Sequence, residues 1–202
     1  MITIFNTNQI MELDKQLRTN LINSLPGIRG ANLIGTINNS GETNLAIFNS
    51  VIHIGANPPL MGFILRPTDV ERHTYNNIIN NGSFTINHVH ESFYKQAHQT
   101  SARYNVSEFE AVGLNTFFTN KIKAPYVKES PVKIGLQFEE EQLIISNRTR
   151  LIIGCINEII IDDEFLNDDY ILQLEKTKSV GVNGLETYYN LKKLAQLPYA
   201  KP

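Results

Sequence analysis

The segment from Arg150 to Ile161 constrains the fold more than any other part of the 202-residue chain. Leu151, Ile153, Cys155 and Ile159 fall in one alternating set, and Ile152, Ile156 and Ile160 add apolar side chains to the other. Successive side chains of a strand point to opposite faces, so a strand apolar on both is either central in its sheet or covered by a partner subunit. The wider sequence agrees with a β-rich chain. Ile occurs 25 times, and β-branched side chains pack well on a pleated surface, although codon bias in an AT-rich genome would give the same count. The 23 Asn residues suit turns, because Asn tolerates positive φ and bonds its own backbone.

The period changes along the chain. Gln9 to Leu25 places Ile10, Leu13, Leu17 and Leu21 three and four residues apart, which predicts one amphipathic helix covering part of the core and ended by Pro26-Gly27. Asn32–Ile37 and Thr43–Ile54 read as two strands of a hairpin around the turn Asn39–Glu42. Asn57-Pro58-Pro59 breaks the second strand, and Leu60–Leu65 reads as a third, buried one. Asp69–Asn81 reads as a helix closed by Gly82, followed by a strand at Ser83–Asn87. Glu91–Tyr104 and Ser107–Ala111 read as short helices, followed by a loop with Pro125 and Pro131. Strands resume at Val132–Glu139 and Leu143–Ile145 before the long apolar segment. Asp162, Asp163, Glu164, Asp168 and Asp169 form a solvated acidic turn, and Val180–Pro202 reads as a tail without a period. Six or more strands with short helices at the joins predict a mainly β fold, a β-barrel with α elements, in a single domain over residues 1–202.

Composition excludes several classes of function. With 42% hydrophobic residues the chain has material for a core and is not intrinsically disordered. A net charge of −2 lacks the Lys/Arg excess that nucleic-acid backbones require, so no nucleic-acid partner is expected. Residues 1–8 do not resemble a signal peptide, and no apolar run approaches the roughly 20 residues that span a bilayer, so the expected location is cytoplasmic and off the membrane. One cysteine, Cys155, excludes an internal disulfide or a multi-cysteine metal site.

Familiar catalytic constellations are missing: there is no glycine-rich phosphate loop and no nucleophile elbow. His88 and His90 share a strand face and, with His98 or Glu91, would make a metal site; the reading favoured here is polar residues at a strand end, with no metal. His53 is read as a hydrogen-bonded core histidine, with a cleft-lining role as the alternative. Two stretches point more firmly to chemistry. Thr43–Ser50 carries Asn44, Asn49 and Ser50, polar groups that are costly in a core unless something bonds them. Arg66-Pro67 and Arg72-His73-Thr74 set two guanidiniums and a hydroxyl at a helix start, which suits a phosphate and equally an ordinary N-cap with surface arginines.

Taken in order, these residues resemble the flavin reductase-like family of FMN-binding split barrels. The likeness runs through Asn44, Ala46, Asn49-Ser50, Pro58-Pro59, Arg66, Thr74, Asn77-Ile78 and the strand Gly82–Asn87. It continues through Ser101-Ala102, Glu108-Phe109, Gly113-Leu114, Ala124-Pro125, Glu129-Ser130 and Leu151–Gly154 to the ending Pro198–Pro202. The resemblance implies a Greek-key split barrel, a noncovalent FMN, and a homodimer with the flavin near its interface. The FMN contacts it implies are Thr36, Asn44, Leu45, Ala46, Asn49, Ser50, Arg66, Arg72, Thr74, Asn77 and Ser101, with Arg72 and Thr74 on a surface loop. Its partners would be NAD(P)H and a small electron acceptor.

One stretch departs from that pattern. Many NAD(P)H:flavin reductases of the family carry Gly-Asp-His before the strand that here begins at Leu151, and this chain has Asn147-Arg148-Thr149. Arg148 or Arg150 would attract an anionic substrate unless both are simply exposed. The expected function is an FMN-dependent oxidoreductase. The alternatives are an FMN-binding module or redox sensor without turnover, and a barrel that binds another phosphorylated ligand. Cys155, inside a strand expected to be buried, takes no part in any of these. Cys155→Ala is therefore expected to lower the thermal midpoint while leaving activity per folded molecule unchanged, as a side-by-side melt and turnover assay would show.

Overall fold

The computed structural model describes residues 2–201. Two helices, α1 (Thr7–Glu12) and α2 (Lys15–Ser24), precede the strands β1 (Arg29–Gly30), β2 (Asn32–Ile37), β3 (Thr43–Phe48), β4 (Val51–Ala56) and β5 (Pro59–Leu65). Then come α3 (His73–Asn81), β6 (Ser83–His88), α4 (Tyr94–Gln99), α5 (Glu108–Val112), β7 (Thr116–Phe117) and β8 (Tyr126–Val127). The chain continues with β9 (Val132–Ile144), β10 (Thr149–Ile161), α6 (Leu174–Thr177), β11 (Val180–Asn183) and β12 (Thr187–Asn190).

Seven strands form one sheet in the order β3-β2-β6-β9-β10-β5-β4. Its pairings are antiparallel throughout. Strands β3 and β4 lie at opposite edges although only Asn49 and Ser50 separate them. Three residue steps reach at most about 10 Å, whereas six spacings of about 4.8 Å would set flat sheet edges about 29 Å apart. The sheet must therefore curl into a barrel, and it is split because β3 and β4 do not pair with each other. Strand β10 lies between β9 and β5, an interior strand of the sheet; Ile152 is buried in the core, while Ile159 stays exposed.

The interior is filled by Ile34, Phe63, Phe84, Ile86, Leu136 and Ile152 among others. Phe63 stands edge-on to Phe48 and Phe84, at centroid distances of 4.8 and 5.6 Å. A second cluster lies on the outer face of β2 and β3, where Leu33 and Leu45 pack with Phe93, Ala97, Phe109 and Val182. Neighbours Leu33 and Ile34 thus serve different cores, as the two-residue period of a strand requires.

Several expectations change. The N-terminal helix is two helices, because Leu13 turns extended and the Asp14 carboxylate caps a fresh start by accepting from Gln16 N at 2.8 Å. Neither helix has a buried residue, so they do not cover the core. The strand expected over 43–54 is interrupted because the Ser50 hydroxyl takes over strand bonding, donating to Ile64 O at 3.0 Å and accepting from Ile64 N at 3.2 Å. The 69–81 helix begins only at His73, since Asp69 pairs with Arg148 instead of capping it. The helix read over 91–104 shrinks to α4, while the separate strands at 132–139 and 143–145 are one continuous β9 with a bulge at Glu139. Of the expected tail, residues 180–190 are a hairpin that extends β1 into a three-stranded sheet and residues 191–201 lack regular structure, while Pro202 lies outside the described residues. His53 is exposed and Cys155 half-buried, because β4 is an edge strand and the far half of β10 runs past the core.

His88 ends β6 with Nδ1 3.2 Å from the Ser179 hydroxyl, and burial pushes its imidazole down to about 4. Unfolding frees it to take a proton at its usual 6.5, so the unfolded state binds the extra proton between these values. Stability should therefore fall as pH drops through that window, by at most about 3 kcal/mol. Urea titrations of wild type and His88→Asn at pH 7 and pH 4.5 should show this loss only in wild type; equal losses would assign the acid sensitivity elsewhere.

Candidate functional site

A cleft of about 850 Å³ opens where the barrel is split. Its walls are β3 with the Asn49-Ser50 crossing, the end of β5, the first turn of α3, the loop after α4, and the β11–β12 hairpin.

A buried polar cluster fixes the inner wall. Thr36 and Asn44 are paired across β2 and β3. The Asn44 amide donates to the Thr36 hydroxyl at 3.3 Å and to the Thr74 hydroxyl at 3.1 Å. Asn77, one turn further along α3, donates to the same Thr36 oxygen at 3.1 Å. These bonds hold the α3 N-terminus against the sheet, and each satisfies a polar group that burial would otherwise penalise. Asn44, Thr74 and Asn77 are buried, and Thr36 is completely so.

The start of α3 has no side-chain cap. The residue before it, Arg72, is extended, and a guanidinium has no acceptor to offer the helix N–H groups; its Nε donates to Pro67 O at 3.4 Å. The first-turn N–H groups remain available, with the positive end of the helix dipole behind them. Arg66, Arg72 and Arg103 all line the cleft, and none makes an ion pair among the described residues. Three unneutralised guanidiniums and an uncapped helix start can hold an anion.

The opposite wall is tied down by long-range bonds. The Asn49 amide donates to Gly184 O at 2.6 Å, which pins the β11–β12 turn to the end of β3. Glu108 accepts from Leu45 N at 3.0 Å, and Thr43 and Ser107 share a hydroxyl–hydroxyl bond of 2.8 Å. His98 and Tyr188, from α4 and β12, meet at 3.1 Å along this wall.

The structure brings Asn44, Ala46, Asn49 and Ser50 to the cleft together with Arg66, Arg72, Thr74 and Ser101. Leu45, one residue out of phase, points into the core, while Thr36 and Asn77 stand behind the wall as braces. Thr74 sits in the first turn of a helix and is buried, not on a surface loop. Arg150 is held by Glu141 at 2.6 Å over the Tyr75 ring, and Arg148 by Asp69, so neither reaches the cleft. His90 bonds Ser92, and no group of three His, Cys, Asp or Glu among the described residues could hold a metal. Sequence reasoning missed Arg103, His98, Leu185, Glu186 and Tyr188 as lining residues. For Leu185, Glu186 and Tyr188 the signal was weak, since the hairpin strands have only four residues each.

The flavin reductase like domain family matches residues 28–180. The chain belongs to that family. It is also similar to a split-barrel, flavin-reductase-type protein from Shewanella frigidimarina, with 47% identity, a TM-score of 0.94, and coverage of 98% of this chain and 100% of the other. Nitrilotriacetate monooxygenase component B from Bacillus cereus shares the fold at 22% identity and a TM-score of 0.84, over 98% and 99% of the two chains. An FMN-binding protein from Thermus thermophilus does so at 14% identity and a TM-score of 0.72, over 87% and 93%. The fold is thus the split barrel, and the family places the protein among flavin-related oxidoreductases. No helix among the described residues is long and apolar enough to cross a membrane.

Thr36 is the acceptor shared by two buried amides. Thr36→Val keeps the shape and removes that acceptor, so it should destabilise the ligand-free protein by about 2 kcal/mol. A urea midpoint shift at unchanged slope measures it, and a change below about 0.5 kcal/mol would show that the cluster does not brace the fold.

Proposed function

We propose that the cleft binds FMN noncovalently and that the protein moves reducing equivalents from NAD(P)H to a small acceptor. The observation that carries this reading is Arg72 at the uncapped start of α3 beside Thr74, in a cleft that Arg66 and Arg103 also line. The volume falls within the range of small-molecule sites, and the donor set suits one phosphate group. Arg66 and Arg72 would hold the phosphate with the first-turn N–H groups. Thr74, its oxygen engaged by Asn44, has its own proton free to donate there. Ala46 leaves room for a close approach along β3, and Asn49 and Ser50 place polar groups beyond it. Leu45, Thr36 and Asn77 act from behind, by keeping β3 and α3 in register. Bound FMN supplies hydride acceptance and donation, which needs no acid–base pair from the protein.

We further infer a single-domain, cytoplasmic homodimer. Ile145 and Ile159 are 84% and 58% exposed on the β9–β10 hairpin, which leaves apolar surface for a partner subunit to cover. A second reading, an FMN-binding module without steady-state turnover, is favoured by the Asn147–Thr149 turn. That turn closes on itself through Asn147, which accepts from Thr149 N and Oγ1 at 3.1 and 2.7 Å, and it offers the cleft no histidine.

Fluorescence titration of ligand-free protein with FMN and with riboflavin tests the site. Arg72→Ala should weaken FMN by about tenfold or more, the worth of one charge-assisted hydrogen bond, and leave riboflavin unchanged. Wild type that binds neither flavin would sink the proposal. Anaerobic NADH and NADPH added to the loaded protein then separate a turning-over reductase, which bleaches, from a silent module.

A further inference from the structure

We propose that Tyr188, held by His98, positions an uncharged, planar carbonyl compound such as a quinone as the electron acceptor. This rests on the flavin reading above, and it concerns the wall of the cleft away from the arginines.

Tyr188 lies on β12, outside the 28–180 stretch matched by the family. It is half-buried and fixed from two sides. The Tyr94 ring packs against it at 5.3 Å, and the His98 ring meets it edge-on at 5.8 Å. His98 Nδ1 and the Tyr188 oxygen are 3.1 Å apart, and both residues line the cleft. The hairpin carrying Tyr188 is itself anchored by the Asn49 bond to Gly184. A phenol so constrained is a preorganised donor, with little rotational freedom left to lose on binding. Burial raises its pKa to about 12, so it keeps its proton at neutral pH.

The surrounding chemistry selects the ligand. When the Tyr188 hydroxyl donates to a ligand oxygen, its own oxygen accepts from His98, which then carries its proton on Nδ1. Val182 and Leu185 from the same hairpin, with Ile47 and Phe48 from β3, supply apolar contact. Glu186 adds a carboxylate, which disfavours an anionic ligand at this wall. One fixed donor among apolar side chains fits a flat molecule with a carbonyl oxygen and no negative charge.

Equilibrium dialysis with 2-methyl-1,4-naphthoquinone and 2-methylnaphthalene, on FMN-loaded protein in its oxidised form, tests this. Tyr188→Phe keeps the ring packing and should weaken the quinone roughly five- to tenfold, with the hydrocarbon and FMN itself unchanged. His98→Gln should weaken the quinone by a smaller factor of about two to five, again without effect on the hydrocarbon. Unchanged quinone binding in both variants, or equal losses for quinone and hydrocarbon, would overturn the assignment. If wild type takes up no FMN, the cofactor reading falls by itself, while a quinone-specific effect of Tyr188→Phe in the ligand-free protein would still support the Tyr188 role.

Discussion

The two-residue link between β3 and β4 governs this structure. The strands at its two ends belong to opposite edges of a seven-stranded sheet, so a chain that joins them directly has no flat solution. Ser50 makes the link work by bonding both backbone groups of Ile64, so its hydroxyl stands in for a strand partner where the chain crosses from one sheet edge to the other. Asn49 beside it reaches outward and fastens the C-terminal hairpin. The barrel closes, its seam becomes a cleft, and the residues at the seam become the wall of the site.

The cleft is chemically divided. At the α3 end, positive charge is left unneutralised in a chain whose net charge is −2, and the polar cluster around Thr36 keeps the helix start in place beneath it. At the hairpin end, aromatic and aliphatic side chains surround one phenol and its imidazole partner. A cofactor anchored by its phosphate at the first end would leave the phenol at the second for an electron acceptor. A site without a triad or carboxylate pair is compatible with the proposed flavin chemistry, in which the protein binds and orients and the cofactor carries the redox step.

Much of this is legible in the residues alone. The two-faced apolar segment at 150–161 asks for a central strand or one covered by a partner subunit, and β10 is central in its sheet. The dense polar residues of 43–50 ask for bonding partners, which are Thr36, Thr74, Ile64 and Gly184. Sequence and structure part where side chains compete with the backbone. Asp14 restarts a helix, Ser50 divides a strand, and Asp69 turns to Arg148 and leaves α3 shorter and uncapped. Arg148 and Arg150, candidates for an anionic substrate by sequence, are neutralised by Asp69 and Glu141, and Arg103 stands at the cleft in their place.

By itself, the sequence determined the β-rich class and the set of polar and cationic residues along β3 and the start of α3 on which the proposed cofactor site is built. Only the tertiary structure decided which of those residues face the cleft, which brace it from behind, and that a C-terminal hairpin completes its wall. The reason is range. Alternation and helical spacing are local signals, whereas Asn49 meets Gly184 across 135 positions and His98 meets Tyr188 across 90. Pairings at that separation leave no period in the chain, and they form only once the barrel has closed.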